Sequence, residues 1–176
     1  LLILFTLCLT LLLTDRSFDR RELYQFKLFV GWQWLIVRFI IFGALIFLFV
    51  LYFMPERLFS FVHSRPKLWA LVMILYPIIS VYPQELIYRS FFFHRYKALM
   101  PLPALIVVNI LCFGLMHSIF HNWVAVIFTL IGGAFFIQTY LRSHSLLTVT
   151  VEHAIYGNWI FTVGAGIFFF NSHSWR

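Results

Sequence analysis

Charge is what this sequence has least of. Only 11% of its 176 residues are Asp, Glu, Lys or Arg, against about 25% in a soluble globular domain. That deficit excludes an ordinary soluble domain. Cysteine is nearly missing too: Cys8 and Cys112 both lie in apolar runs, which excludes a disulfide framework and a cysteine zinc site. Acidic residues are fewer than basic ones, 6 against 13, for a net charge of +7. In so apolar a chain this excess calls for no nucleic-acid partner. It reports loops retained on the cytoplasmic side of a membrane. Repeats, low-complexity tracts and linkers are also lacking, so residues 1–176 read as a single membrane domain.

What is present is apolar. Hydrophobic residues make up 62% of the chain, the mean hydropathy is +0.93, and 23 Phe, 8 Tyr and 6 Trp suit lipid-facing surfaces and interfacial belts. The expected fold is all-α, a polytopic transmembrane helical bundle of about six hydrophobic spans in a multi-pass protein of the cell membrane. Leu1 to Thr14 is short of the roughly 20 residues a span needs and reads as the tail of a first helix. The other spans are Trp34 to Met54, Leu68 to Phe93, Ala104 to Phe120, Trp123 to Leu141 and Ser145 to Phe170. Arg38 lies near the start of its span, where it can snorkel. Pro77 and Pro83 interrupt the third span, where a helix kinks or restarts. If the loops alternate sides, Arg16, Arg20, Arg21, Lys27, Arg95, Lys97 and Arg142 share one side. Arg57, Arg65, Lys67 and Arg176 share the other. The larger group marks the cytoplasm.

Polar side chains deep in these spans fall into three islands. The first is Gln84, Glu85 and Arg89; the second is His117, with His121 four residues on; the third is Glu152, His153 and Asn158. An ionisable residue at the middle of a bilayer helix costs about 2.5–3.5 kcal/mol on insertion scales, so such residues face one another or a polar cavity. Glu85 and Arg89, at i and i+4, share a helix face. Glu85 lies eight residues in from Phe93 and His153 eight in from Ser145, so both sit at a depth of roughly 12 Å and can meet. His117 is thirteen residues in from Ala104, nearer 20 Å. The three islands are expected to line one polar cavity despite that offset.

The chemistry open to these groups is peptide hydrolysis. A buried glutamate beside an imidazole can take a proton from water, and a second histidine with an asparagine amide can donate to the developing oxyanion. Arg89 would keep the carboxylate ionised and oriented. Each piece alone has a plainer reading. Glu85 with Arg89 is as readily a structural ion pair, His117 an interhelical hydrogen bonder, His121 an interface residue beside Trp123 and Asn158 packing glue. Their co-occurrence tips the balance.

The QELIYR, FGLMH and HAIYGN stretches, in that order on successive apolar segments, resemble the three motifs of the CPBP family. That family comprises CAAX prenyl endopeptidases and bacteriocin-processing or immunity proteins. The likeness covers a core of about residues 68–170. It implies an α-helical intramembrane endopeptidase, often described as a metalloprotease, acting on membrane-associated peptides or lipidated proteins. By position it carries the catalytic roles to Gln84, His117, His153 and Asn158, with Glu85 and Arg89 completing the first motif; Glu152, beside His153, reads as a group that orients a neighbour.

Two departures from the pattern stand out. Gln84 occupies the place of the first motif glutamate, and an amide cannot act as a base. Asn158 follows His153 by five residues where four is commonest, a rotation of about 100° on an ideal helix. Glu85 is therefore the expected base, Gln84 a holder of water or substrate, and Glu152 the reserve base. Two rival readings stay open. One is a non-catalytic binding or bacteriocin-immunity protein that keeps the pocket. The other is a metal or haem protein using His117, His121 and His153. No cofactor is assigned, and a divalent metal, if any, would fall to those three histidines. Against this, the His117–His121 pair lacks the glutamate of a zincin helix.

Overall fold

The computed structural model describes residues 1–29 and 31–170; Arg176, counted above in the charge balance, lies outside them. Among the described residues the chain is helical throughout, with no strand. The helices are α1 (Leu2–Thr14), α2 (Gln33–Phe53), α3 (Ser60–Ser64), α4 (Pro66–Tyr96), α5 (Leu102–Met116), α6 (Trp123–Ser143) and α7 (Leu146–Val163). Four segments are long and apolar enough to cross a membrane: α2, α4, Leu102–Phe120 and α6. The expected count of about six is approximate for two reasons. At 13 residues α1 is too short to qualify. The last span stops early at α7, which carries Glu152, His153 and Asn158 and buries much of its length.

Pro77 and Pro83 do not break α4. The helix stays continuous by widening, with π-helical turns at Pro77–Val81 and Leu86–Phe91. A proline has no N–H to give and crowds the carbonyl one turn back. A wider turn relieves that crowding and changes the direction of the side chains that follow. The four residues between the two wide turns, Tyr82–Glu85, hold the first polar island.

α7 runs through the middle of the bundle against α2, α4 and α6, and α5 pairs with α6. Its start is capped by Ser145, whose hydroxyl accepts from the Thr148 N–H at 3.1 Å. Its end is set by Gly164 at φ +106°, where a Cβ would run into the Arg57 carbonyl oxygen. α6 is capped in the same way by Asn122, which accepts from the Ala125 N–H at 2.8 Å.

Three segments are tied together at one end of the bundle. His94 Nε2 contacts Asp15 Oδ2 at 2.9 Å, Tyr140 donates to Glu22 Oε1 at 2.8 Å, and Thr148 donates to the Lys27 carbonyl at 2.8 Å. The loop after α1, the α4–α5 connection and the α6–α7 turn therefore share this end, as alternating loops require. The hydrogen bonds from His94 and Ser17 hold the Asp15 carboxyl well below the usual carboxylate range.

Candidate active site

The first and third islands meet. Glu85 Oε1 accepts from His153 Nδ1 at 2.8 Å, and Glu85 Oε2 lies 3.0 Å from Arg89 Nε in an i,i+4 ion pair. Both partners are fully buried, at 0% exposure. A buried carboxylate and guanidinium need partners for their remaining polar atoms, and here the need is met in part: Arg89 Nη2 has no hydrogen-bond partner among the described residues. Arg89 Nη1 donates to Asn109 Oδ1 on α5, and the guanidinium lies 5.0 Å from the centre of the Phe113 ring. Asn109 in turn donates to the Tyr88 carbonyl at 2.6 Å. Asn109 is thus a fourth buried polar position, beyond the three islands expected. It is an amide inside an apolar span, and that was the signal available to find it.

His153 is the outlet of this network. Its ring stacks on Phe136 at 4.4 Å with an interplanar angle of 18°. Because Nδ1–H is given to the carboxylate, the neutral ring keeps an acceptor lone pair on Nε2. His153 lines a cavity of about 580 Å³ walled by side chains of α2, α4, α5, α6 and α7, with Phe169 and Phe170 also in the lining. The walls are mostly Phe, Leu and Ile; polar groups enter at Tyr76, Ser80, Gln84, Thr129, His117, His153 and Tyr156. The α4 wall alone extends from Leu71 to Gln84, roughly 20 Å of helix. A cavity that long receives side chains from different depths, so His117 and His153 both line it despite their offset.

His117 stands where α5 tightens into the 3₁₀ turn His117–Phe120. Its Nδ1 donates to the Phe113 carbonyl at 2.8 Å, which also leaves Nε2 as an acceptor. The Phe113 ring lies between the two imidazoles, 4.9 Å from His117 and 5.8 Å from His153.

Gln84, not Glu85, is the motif-one side chain in the cavity wall. Its Nε2 donates to Ser80 Oγ at 2.8 Å, while its Oε1 is buried without a partner. Glu85 and Arg89 stand one layer behind. Asn158 is also outside the cavity lining: its amide donates to the Met73 carbonyl at 3.2 Å and its Oδ1 is unpaired. α7 is regular through this stretch, so the fifth residue after His153 points elsewhere.

Glu152 faces the other way from His153. It pairs with Arg38 on α2, which also donates to Gln138 Oε1 at 2.7 Å and Thr139 Oγ1 at 3.0 Å. Arg38 is bound inside the bundle, only 12% exposed, rather than snorkelling. His121 is exposed, at φ +55°, and takes no part in the cavity. The His117, His121, His153 set is therefore not brought together. Among the described residues no three His, Cys, Asp or Glu side chains are grouped to hold a metal. The described residues do not fit a metal centre.

Tyr76, in no motif, enters the site. Its hydroxyl lies 3.3 Å from His153 Nε2. The one available signal was Gly157, four residues after His153, whose missing side chain leaves the slot that the Tyr76 ring fills.

The family model of type II CAAX prenyl endopeptidases, Rce1-like, matches residues 65–160. All three motif stretches lie within that match. No curated protein and no solved structure matches the chain.

Proposed function

We propose, from the premise that this chain belongs to the Rce1-like family of type II CAAX prenyl endopeptidases, that it cleaves peptides carrying an apolar or prenyl group at the Glu85–His153 pair. The protein is integral to the membrane and a CAAX-type protease at the level of the family. A multi-pass arrangement in the cell membrane, with the Asp15–His94 end in the cytoplasm, belongs to the proposal. The observation that carries the reading is the 2.8 Å contact between Glu85 and His153 Nδ1, with His153 on the cavity wall.

The carboxylate, backed by Arg89, fixes the imidazole tautomer and stabilises the imidazolium that forms. Sequence reasoning gives the proton directly to Glu85; the geometry supports delivery through His153. A water beside Nε2 loses one proton to it as the water oxygen adds to the scissile carbonyl. The second hydrogen stays on that oxygen, now a hydroxyl of the tetrahedral intermediate. His153 then returns its proton to the leaving amine as the C–N bond breaks. Asn158 ties α7 to Met73 on α4. The cavity volume falls within the range of about 300–1,000 Å³ usual for small-molecule pockets, and its Phe-rich wall suits an apolar chain.

The test is proteolysis by the purified, reconstituted protein. A farnesylated CAAX-type peptide should be cleaved and its unprenylated twin far more slowly, with Glu85→Ala and His153→Ala inert. Wild-type protein that binds the peptide without turnover, under every condition, would leave a binding protein instead.

A further inference from the structure

We infer that the Tyr76 hydroxyl is the donor that binds the oxyanion formed on the substrate carbonyl, a role that rests on the proteolytic reading above. Two observations carry it. The hydroxyl is 3.3 Å from His153 Nε2, the atom assigned to the water proton. A donor for the tetrahedral intermediate has to lie within about 3 Å of the new oxyanion, beside the base but not on it. A group adjacent to Nε2 meets that requirement with a rotation of one O–H bond. Tyr76 gives this hydrogen to Nε2 at rest. The Tyr156 hydroxyl on the same wall has no hydrogen-bond partner among the described residues, but no contact with His153 Nε2 brings it to the base, and four further donors nearby are committed elsewhere. Gln84 Nε2 donates to Ser80, Asn158 Nδ2 to the Met73 carbonyl, His117 Nδ1 to the Phe113 carbonyl and Thr129 to the Ala125 carbonyl.

The second observation is how firmly the ring is held. It packs edge-on against Phe161 at 5.1 Å and 82°, and it fills the space where a side chain at position 157 would stand. Position 157 is one turn after His153, on the same face of α7. The site has therefore exchanged a side chain from α7 for a phenol from α4. Fixed placement is what an oxyanion donor needs, because a donor already aimed costs no reorganisation when charge develops. The chemistry balances: the carbonyl oxygen gains the electron pair displaced by water attack, and the hydroxyl donates a hydrogen bond without losing its proton.

The farnesylated peptide assay, with kcat and KM measured separately and melting in detergent followed for each variant, decides the matter. Tyr76→Phe keeps the ring and its packing. Its kcat should fall by about 10²–10³-fold, as for loss of one oxyanion-hole donor, with KM within about twofold because the bond is made only in the transition state. Tyr76→Ala combined with Gly157→Asn should regain at least about tenfold over Tyr76→Ala alone, since an amide then projects from α7 into the vacated slot. Gly157→Asn alone should be poorly active, the new side chain colliding with Tyr76. A kcat for Tyr76→Phe within about threefold of wild type, or a loss confined to KM or matched by a lowered melting temperature, overturns the assignment. If wild type is no faster than His153→Ala, the proteolytic reading fails and this role falls with it. If wild type is active and Tyr76→Phe is equally active, only the Tyr76 role falls.

Discussion

Two carboxylate–guanidinium pairs lie against α7, which reaches them through the adjacent residues Glu152 and His153. Glu152 pairs with Arg38, and the guanidinium's other contacts are an amide, a hydroxyl and the face of Phe135 at 4.5 Å. Glu85 pairs with Arg89, but its second oxygen goes to an imidazole that borders the cavity. The charges are alike and both carboxylates are buried, though Arg38 is 12% exposed and Arg89 not at all. The difference is an imidazole between carboxylate and cavity. A charge closed off by neutral groups can only hold helices together, whereas one that ends on a histidine can accept a proton from outside and return it. On the proposed mechanism, burial and ion pairing do not by themselves mark the working carboxylate; access through His153 does.

The largest effect should come from cutting that access while leaving the shape intact. Glu85→Gln removes the charge that orients and stabilises the His153 imidazolium, and turnover should fall by about 10³–10⁴-fold, the scale seen when a triad carboxylate becomes an amide. Steady-state cleavage rates together with an unchanged helical circular dichroism spectrum check it. Next is Arg89→Met, which strands the Glu85 carboxylate at 0% exposure. Breaking one side of a buried pair costs about 3–5 kcal/mol, to be read as a lower unfolding midpoint in detergent. The Asn109→Leu variant should move the same way by less, about 1–3 kcal/mol, because it strands a hydrogen-bond donor rather than an opposite charge.

The other pair should behave as a tie. Glu152→Gln should leave kcat within about threefold of wild type, and the double variant Arg38→Met, Glu152→Met should be close to neutral in stability, since apolar replacement of a whole buried pair often is. Loss of turnover in Glu152→Gln would instead make Glu152 the base and erase the contrast. The smallest effect belongs to the half-buried Asp15–His94 pair at the loop end. Asp15 has its carboxyl lowered in the folded protein by His94 and Ser17. Its contribution is therefore present above the ordinary carboxylate pKa and is lost as pH falls toward the lowered value. Asp15→Asn should lower the melting temperature slightly near neutrality, where that contribution is present, and flatten its acid limb so that the two curves converge at low pH.

Much of this was legible before any coordinates. Apolar run lengths located the four long helices, and Glu85 with Arg89 at i and i+4 could be paired because helical spacing alone brings them together. The meeting of Glu85 and His153 followed from similar depth in two spans. Asn109 was passed over because a single amide inside a valine- and isoleucine-rich run carries no spacing signal. Tyr76 was passed over because a tyrosine in an apolar sequence reads first as an interface residue.

Residue order alone determined the class of molecule, the helices and the three motif stretches, because hydropathy and the 3.6-residue period are local properties of the chain. Only the packing of α2, α4, α5, α6 and α7 decided which polar groups see the cavity. Neighbouring residues on a helix diverge by about 100°, so Gln84 reaches the cavity and Glu85 does not, while His153 and Glu152 part to opposite networks. Which of two adjacent polar residues finds a cavity, and which finds an arginine, depends on the helices that pack beside them. The chain separates those partners by up to 114 positions, and no local pattern spans that distance.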